Sequence, residues 1–305
     1  MSTESSPAPE TSVPTCYRHP GRETYVRCTR CDRYICPDCM RDAAVGHQCV
    51  ECVAEGNRNV RRPRTPVGAA VRGGGAAAVP VVTYSLIGVC VLAYLAELAS
   101  YRVVWDFMML GYGIVPGGRV GGVADGEWYR LFTAMFLHQR GGTFGITHIL
   151  FNMWALWAVG PALEQVLGRW RYLALYVLSG LGGSVLLYLV EPTGQAVGAS
   201  GAIFGLFGAF FVIGRRLGGQ VGPIVFLLLI NLVITFSVPG ISWQGHIGGL
   251  VTGAVLAVAF AYAPRARQLA VHIAAPVAVL AVFVALVLVK TSDIQAAVPG
   301  LSGLV

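Results

Sequence analysis

The sequence predicts an all-α polytopic membrane protein, with seven transmembrane helices preceded by a small metal-binding domain. Three observations predict this class: 55% of the 305 residues are hydrophobic, only 12% are charged, and seven apolar runs each approach the length of a bilayer crossing. Helices are expected because the runs do not alternate in polarity as the strands of a membrane barrel do. The composition excludes a soluble globular domain of this length.

Basic and non-basic loops alternate between the predicted spans, which lie near 80–99, 146–163, 170–190, 199–214, 221–238, 243–262 and 268–289. The linker before span one is basic, and so are the loops after spans two, four and six, which carry Arg169, Arg171, Arg215, Arg216, Arg265 and Arg267. The long loop 100–145 departs from this pattern: it holds four arginines, which Asp106, Asp125 and Glu127 partly offset. The positive-inside rule therefore places the N-terminus in the cytoplasm. Because this rule accounts for the net charge of +7, no nucleic-acid partner is expected.

The composition changes several times along the chain, which predicts five segments. A disordered N-terminus is expected over 1–15, where Ser, Pro, Thr and Glu are frequent. A cysteine-rich finger over 16–53 is followed by a basic, flexible linker over 54–78. The membrane domain is expected over 79–290, and a C-terminal tail over 291–305.

Four polar residues lie near the starts of spans two, four and six: Ser200, His246, His148 and Asn152. These three spans run in the same direction, so their first residues are expected at one depth of the bilayer, near the outer face. His148 and Asn152 are four residues apart and therefore share one face of a helix.

Each of these residues taken alone also has a purely structural interpretation. Ser200 among glycines permits close helix packing, Asn152 can join helices by a hydrogen bond, and His246 can serve as a packing hydrogen bonder or a metal ligand. Polar residues inside a membrane are costly, and four of them at one depth indicate a functional site.

The residue types favour hydrolysis by a serine nucleophile. A hydroxyl needs a base to take its proton, and histidine is suited to that role. A helix N-terminus offers unpaired N–H groups and a positive dipole end to a developing oxyanion. Since no Asp or Glu lies in these span openings, the unit would be a Ser200–His246 dyad. Gly198 and Gly201 leave room for substrate.

From about 80 to 290 the chain resembles the rhomboid intramembrane serine proteases. The resemblance rests on motifs that occur in the family's order: Glu127-Trp128-Tyr129-Arg130, His148 with Asn152, Gly198-Ala199-Ser200-Gly201, and His246-Ile247-Gly248-Gly249. It implies a rhomboid-like bundle of the six-plus-one type, in which span 268–289 supports the six-helix core. Two departures are a longer stretch over 139–146 and Phe204 where the family often has a tyrosine that stacks on the catalytic histidine.

This resemblance implies an endopeptidase that cuts single-span membrane proteins in or near their transmembrane segment. Ser200 and His246 would be catalytic. His148, Asn152 and the N–H of Ser200 would form the oxyanion hole, and Gly198, Gly201 and Phe204 would line the substrate cavity. The expected location is the plasma membrane, with the site opening to the extracytoplasmic side. Spans two and five would flank the substrate's path, with Phe236 and Trp243 as candidates to line it or, alternatively, as aromatic residues at the membrane interface. The alternative is a catalytically inactive relative that binds membrane helices.

The finger carries paired ligands at the spacing typical of tetrahedral zinc, and a cytoplasmic location disfavours disulfides. It resembles B-box-type fingers, which implies about two interleaved structural zinc ions and a cytoplasmic protein partner. One set would be Cys16, His19, Cys36 and Cys39, and the other Cys28, Cys31, Cys49 and Cys52. His47 is an alternative ligand to Cys49. No cofactor is expected for catalysis.

Overall fold

The computed structural model describes residues 13–58, 65, 67–68, 79–141 and 145–298. The chain divides into two compact units, Met1–Arg62 and Pro63–Val305. Most of the predicted N-terminal disordered segment, and the predicted linker at 59–64, 66 and 69–78, lies outside the described residues, as does the tail beyond 298. Within the predicted linker, residues 54–58 are helical and Val67 is buried.

The first unit contains two antiparallel ribbons and one helix. The strands are β1 (Thr15–Cys16), β2 (His19–Glu23), β3 (Met40–Asp42) and β4 (His47–Cys49), and the helix is α1 (Val50–Arg58). β1 pairs with β2, and β3 pairs with β4. Helix α1 continues past the predicted end of the finger at residue 53. Its buried Cys52 joins the cluster of cysteines at the centre of the unit.

The second unit is a helical bundle in which each predicted span forms a helix. The long helices are α2 (Val81–Ala99), α5 (Gly145–Leu167), α6 (Arg169–Val190), α7 (Ser200–Arg216), α8 (Gly222–Ser237), α9 (Trp243–Tyr262) and α10 (Gln268–Ala297). Two short helices, α3 (Arg102–Phe107) and α4 (Arg130–Thr133), lie between α2 and α5.

The predicted fold class is confirmed as a helical membrane bundle. Five of the helices in the described residues are long and apolar enough to cross a membrane. Helices α7 and α8 are shorter, at 17 and 16 residues. Helix α10 extends to Ala297, past the predicted end at 289, because its last turns pack on α6. There the hydroxyls of Tyr188 and Thr291 lie 2.8 Å apart.

The centre of the bundle is built from α6, α7 and α9, which approach one another through glycines. A β-carbon placed on Gly253 of α9 would overlap the backbone of Gly205 in α7, and one on Gly249 would overlap the carbonyl of Gly201. Small residues let helix backbones approach closely, and such packing is one of the interactions by which transmembrane helices associate. These contacts hold the starts of α7 and α9 side by side.

The loop between α2 and α5 is held by buried interactions. Its strands are β5 (Met109–Leu110), β6 (Gly113–Ile114) and β7 (Val120–Gly121). Strand β6 pairs with β7. Strand β5 pairs with β8 (Gln195–Ala196), which lies just before α7. The fully buried Arg130 donates to the carbonyls of Trp105 and Met108 at 2.7 and 3.0 Å. Burial opposes ionisation of Glu127, but hydrogen bonds from Arg119 and Arg130 outweigh it and hold the pKa of that carboxyl below its ordinary value.

Candidate active site and metal sites

Ser200 and His246 are in direct contact at the starts of neighbouring helices. Ser200 is the first residue of α7, and its Oγ lies 2.8 Å from Nε2 of His246, in the first turn of α9. Helix α9 begins here because Ser242 caps it: the serine side chain accepts a hydrogen bond from the N–H of Gly245. This geometry lets the Ser200 hydroxyl donate its proton to the imidazole.

The backbone turn before Ser200 requires a glycine. Gly198 has a φ of +135°, which side-chain-bearing residues rarely adopt. A β-carbon at this position would lie 3.0 Å from the ring of His148 and 3.6 Å from Ser200 Oγ. The space left by the missing side chain therefore lies between the histidine of α5 and the serine of α7.

His148 and Asn152 face this space from α5. His148 Nδ1 accepts a hydrogen bond from the backbone N–H of Gln139 at 3.2 Å, so in the neutral ring the proton is on Nε2. The Asn152 amide donates one hydrogen to the carbonyl of His148 at 2.8 Å, which leaves its second N–H for another acceptor. Both side chains can thus present a donor near Ser200.

Phe204 stacks on the imidazole of His246. The ring centroids are 4.2 Å apart and the planes differ by 13°. Phe204 lies four residues after Ser200 on the same face of α7 and is almost fully buried. Stacking holds the imidazole in one plane. A phenylalanine ring can do this without the hydroxyl that a tyrosine would carry at this position.

Thr235 of α8 is a contact of His246 that the sequence analysis missed. Its Oγ1 lies 2.7 Å from His246 Nδ1, and the hydroxyl also donates to the Asn231 carbonyl at 2.6 Å. The signal that could have indicated it is the presence of Asn231 and Thr235, four residues apart, in a span whose other polar residue is Ser237 at its end. Such a pair marks one polar face on that helix.

A cavity of about 740 Å³ opens onto these residues. Its lining includes all the residues that the sequence predicts for the site, together with Thr235: Ser200, His246, His148, Asn152, Gly198, Gly201, Phe204 and Thr235. Apolar side chains from α5 and α8 line it as well: Phe151, Trp154, Leu227, Ile230 and Ile234. Phe236 and Trp243, the candidates to line the substrate's path, are not among the described residues that line this cavity. They are exposed and stack on each other, with ring centroids 6.3 Å apart. The cavity thus has a polar end at Ser200 and apolar walls contributed by two helices, α5 and α8.

His138, in the loop before α5, lies beside His148 in the cavity lining. The two rings meet edge to face with centroids 5.3 Å apart. Burial and the neighbouring His148 lower the pKa of His138 to about 3, so its ring is neutral at physiological pH. Its backbone N–H donates to the buried carboxylate of Glu97 at 3.0 Å, which ties the loop to the end of α2.

The first unit brings eight ligand side chains into two groups of four. One group is Cys16, His19, Cys36 and Cys39, and the other is Cys28, Cys31, Cys49 and Cys52; within each group all ligand atoms lie within 4.8 Å of one another. A tetrahedral zinc with Zn–S bonds of about 2.3 Å has thiolates about 3.8 Å apart. Cys31 and Cys49 have their sulfurs 3.8 Å apart, so the groups fit a tetrahedral metal ion. His47 belongs to neither group; its Nδ1 lies 3.4 Å from Asp42.

Comparison with known proteins shows similarity to rhomboid proteins. The family model for the rhomboid domain matches residues 125–263. The chain is 40% identical to the putative rhomboid protease YdcA of Bacillus subtilis over 184 residues, which cover 58% of this chain and 86% of that protein.

Two further relatives extend the comparison. The rhomboid protease GluP of Bacillus subtilis is 40% identical over 145 residues, covering 45% of this chain and 27% of GluP. RHOMBOID-like protein 5 of Arabidopsis thaliana is 32% identical over 190 residues, covering 58% of this chain and 60% of that protein. The chain therefore spans about a quarter of GluP and less than two thirds of the plant protein.

Proposed function

Because this chain belongs to the rhomboid family of intramembrane proteases, we propose that it is an active serine endopeptidase that uses a Ser200–His246 dyad. The observation that carries the proposal is the 2.8 Å contact between Ser200 Oγ and His246 Nε2 at the polar end of the cavity. A catalytically inactive relative has no need to hold a serine and a histidine in this geometry.

The proposed reaction proceeds through an acyl-enzyme. Ser200 Oγ attacks the carbonyl carbon of the scissile bond while His246 Nε2 takes the hydroxyl proton. The oxyanion accepts hydrogen bonds from the Ser200 N–H, His148 Nε2–H and the free Asn152 N–H. His246 then gives the proton to the amine nitrogen as the C–N bond breaks. Water repeats the sequence on the ester, which releases the acid and restores the serine.

The proposed substrates are single-span membrane proteins, cut in or near their transmembrane segment. The support is the pair of apolar cavity walls on α5 and α8, which a lipid-exposed segment can reach sideways. A peptide bond inside a helix is hidden by its hydrogen bonds, so segments that unwind easily through Gly or Pro are favoured. Arginines at the far ends of α7 and α9 support a cytoplasmic N-terminus and a site open to the extracytoplasmic side of the plasma membrane.

For the first unit we propose two structural zinc ions and a role in docking a cytoplasmic protein. The Cys₃His and Cys₄ donor sets, whose ligand atoms lie within 4.8 Å of one another in each group, fit zinc. Three thiolates and one imidazole would hold the first ion and four thiolates the second, and each ion would close the loops that carry its ligands. The docking role rests on the resemblance to B-box-type fingers.

The catalytic proposal predicts that Ser200→Ala and His246→Ala abolish proteolysis. Purified protein is incubated with a single-span substrate, and the cleavage products are quantified. Removal of either member of a dyad is expected to lower the rate by at least about 10³-fold, because Ser200→Ala lacks the nucleophile and His246→Ala lacks the base. A fluorophosphonate should label wild type and fail to label either variant.

Ser179→Ala is the matched control, since Ser179 is another buried serine in the bundle. Its Oγ has no hydrogen-bond partner among the described residues, and it lies outside the cavity lining. This variant should cleave and label as wild type does. Cleavage that persists in Ser200→Ala would refute the nucleophile, and a wild-type protein that neither cleaves nor labels would support the inactive alternative.

A further inference from the structure

No Asp or Glu lies in the openings of spans two, four and six to orient His246, yet Nδ1 of its imidazole has a partner. Thr235 is 3% exposed and, with Ile224, is one of two buried residues on α8. Its Oγ1 lies 2.7 Å from Nδ1, on the side of the ring opposite the 2.8 Å contact with Ser200. The imidazole is therefore held between two hydroxyls from two different helices.

The direction of each hydrogen bond follows from the backbone of α8. The Thr235 hydroxyl has one hydrogen and donates it to the Asn231 carbonyl at 2.6 Å, the usual back-bond of a helical threonine. Only its lone pairs remain for His246, so Nδ1 must carry a proton and donate. Nε2 of the neutral ring is then unprotonated and can only accept from Ser200.

We propose that Thr235 is a positioning residue that holds His246 in the tautomer able to act as a base. The alternative tautomer, with the proton on Nε2, cannot take the proton of Ser200. The Thr235 oxygen also accepts from Nδ1 when His246 is protonated during the reaction, so the same bond persists through the proton transfer. This inference rests on the proposed dyad. The hydrogen bonds then form a chain, here called the relay, from the Asn231 carbonyl through Thr235 and His246 to Ser200.

A neutral hydroxyl replaces the carboxylate of a triad in this relay, which sets the size of the expected effect. A hydroxyl fixes the tautomer but stabilises the imidazolium less than a carboxylate does. Loss of a group that orients a metal-binding histidine typically costs about 10- to 100-fold, and we expect a loss of the same order here. Thr235→Val, which keeps the shape and removes the hydroxyl, should lower kcat by about this factor and leave KM nearly unchanged. Thr235→Ser should restore most of the loss.

Thr252→Val is the matched control because Thr252 makes the same back-bond without contacting the dyad. It lies on α9 and donates to the Gly248 carbonyl at 2.7 Å. If the effect of Thr235→Val came only from losing a back-bond in a helix, Thr252→Val would lower kcat equally. We expect it to keep the wild-type kcat.

The deciding measurement is the tautomer of His246, read by ¹⁵N NMR on histidine-labelled full-length protein. The chain has 6 histidines, and the His246 signal is assigned by its disappearance in His246→Gln. Wild type and Thr235→Ser should show a protonated Nδ1 and an unprotonated Nε2, whereas Thr235→Val should show a mixture of tautomers. A merely structural threonine would leave the tautomer unchanged.

The outcomes separate this inference from the proposed function. A wild-type His246 with its proton on Nε2 would overturn the inference without any variant. So would an active Thr235→Val with wild-type kcat and tautomer. If wild type does not cleave substrate, the proposed function fails, while the tautomer spectra still test the relay. If Thr235→Val does not fold, the wild-type spectrum still decides: a proton on Nδ1 supports the inference, and a proton on Nε2 overturns it.

Discussion

Gly253→Ala is expected to force α7 and α9 apart, and thereby to lower the stability of the bundle strongly and to abolish its activity. The new β-carbon would overlap the backbone of Gly205, which cannot move as a flexible side chain can. Overpacking a core costs about 1–3 kcal/mol when side chains can adjust, so a clash with backbone is expected at or above the upper limit. Because Ser200 is on α7 and His246 on α9, any separation of these helices also lengthens the contact between them.

The measurement is thermal unfolding in detergent together with fluorophosphonate labelling. Gly88→Ala is the matched control, since a β-carbon at Gly88 of α2 meets nothing within 4 Å. Alanine is favoured over glycine in a helix by about 1 kcal/mol, so the control should unfold at the same or a higher temperature. A Gly253→Ala protein that unfolds and labels like wild type would contradict the close approach of α7 and α9.

The helices of the bundle were predictable because length and hydropathy are local properties of the chain. Each apolar run forms a helix whose start lies within about two residues of the predicted one, since the bilayer thickness sets the run length. The loop between α2 and α5 was not predictable in the same way. It is held by Arg130, which reaches the carbonyls of Trp105 and Met108 more than twenty residues earlier, and no periodic pattern encodes such contacts.

The residues of the candidate site also differ in whether the sequence alone could predict them. The sequence predicts that four polar residues lie near one another, because the arginines indicate the direction and depth of their helices. These residues are Ser200, His246, His148 and Asn152. Thr235 could not be predicted in this way, because its role depends on how α8 is rotated about its own axis and on its distance from α9. The ligand spacing indicated two metal sites, but His47 and Cys49 remained alternatives. The structure groups Cys49 with the other ligands and leaves His47 beside Asp42.

Removal of metal is expected to unfold the first unit. The buried hydrophobic residues of its core, among those that the structure describes, are six cysteines and Ile35. Burial of one isoleucine contributes about 1.5–3 kcal/mol, whereas a structural zinc in a finger contributes about 10–16 kcal/mol near pH 7. The proposed metal ions would therefore contribute most of the stability, because only two short ribbons and one buried isoleucine would otherwise hold the six buried cysteines together. Chelation of the full-length protein should therefore make Arg33 and its neighbours rapidly cleavable by trypsin.

Single ligand changes should separate the two sites. Cys36→Ser is expected to lower the zinc content from about two ions per chain to about one, because Cys36 belongs to the group with His19 and the Cys₄ group keeps its four ligands. His47→Ala is the control: it lies in neither group, so the protein should retain about two ions and its resistance to trypsin. Metal analysis of the purified variants decides. Loss of an ion in His47→Ala would show that His47 replaces Cys49, and two ions retained in Cys36→Ser would contradict the assignment of the first group.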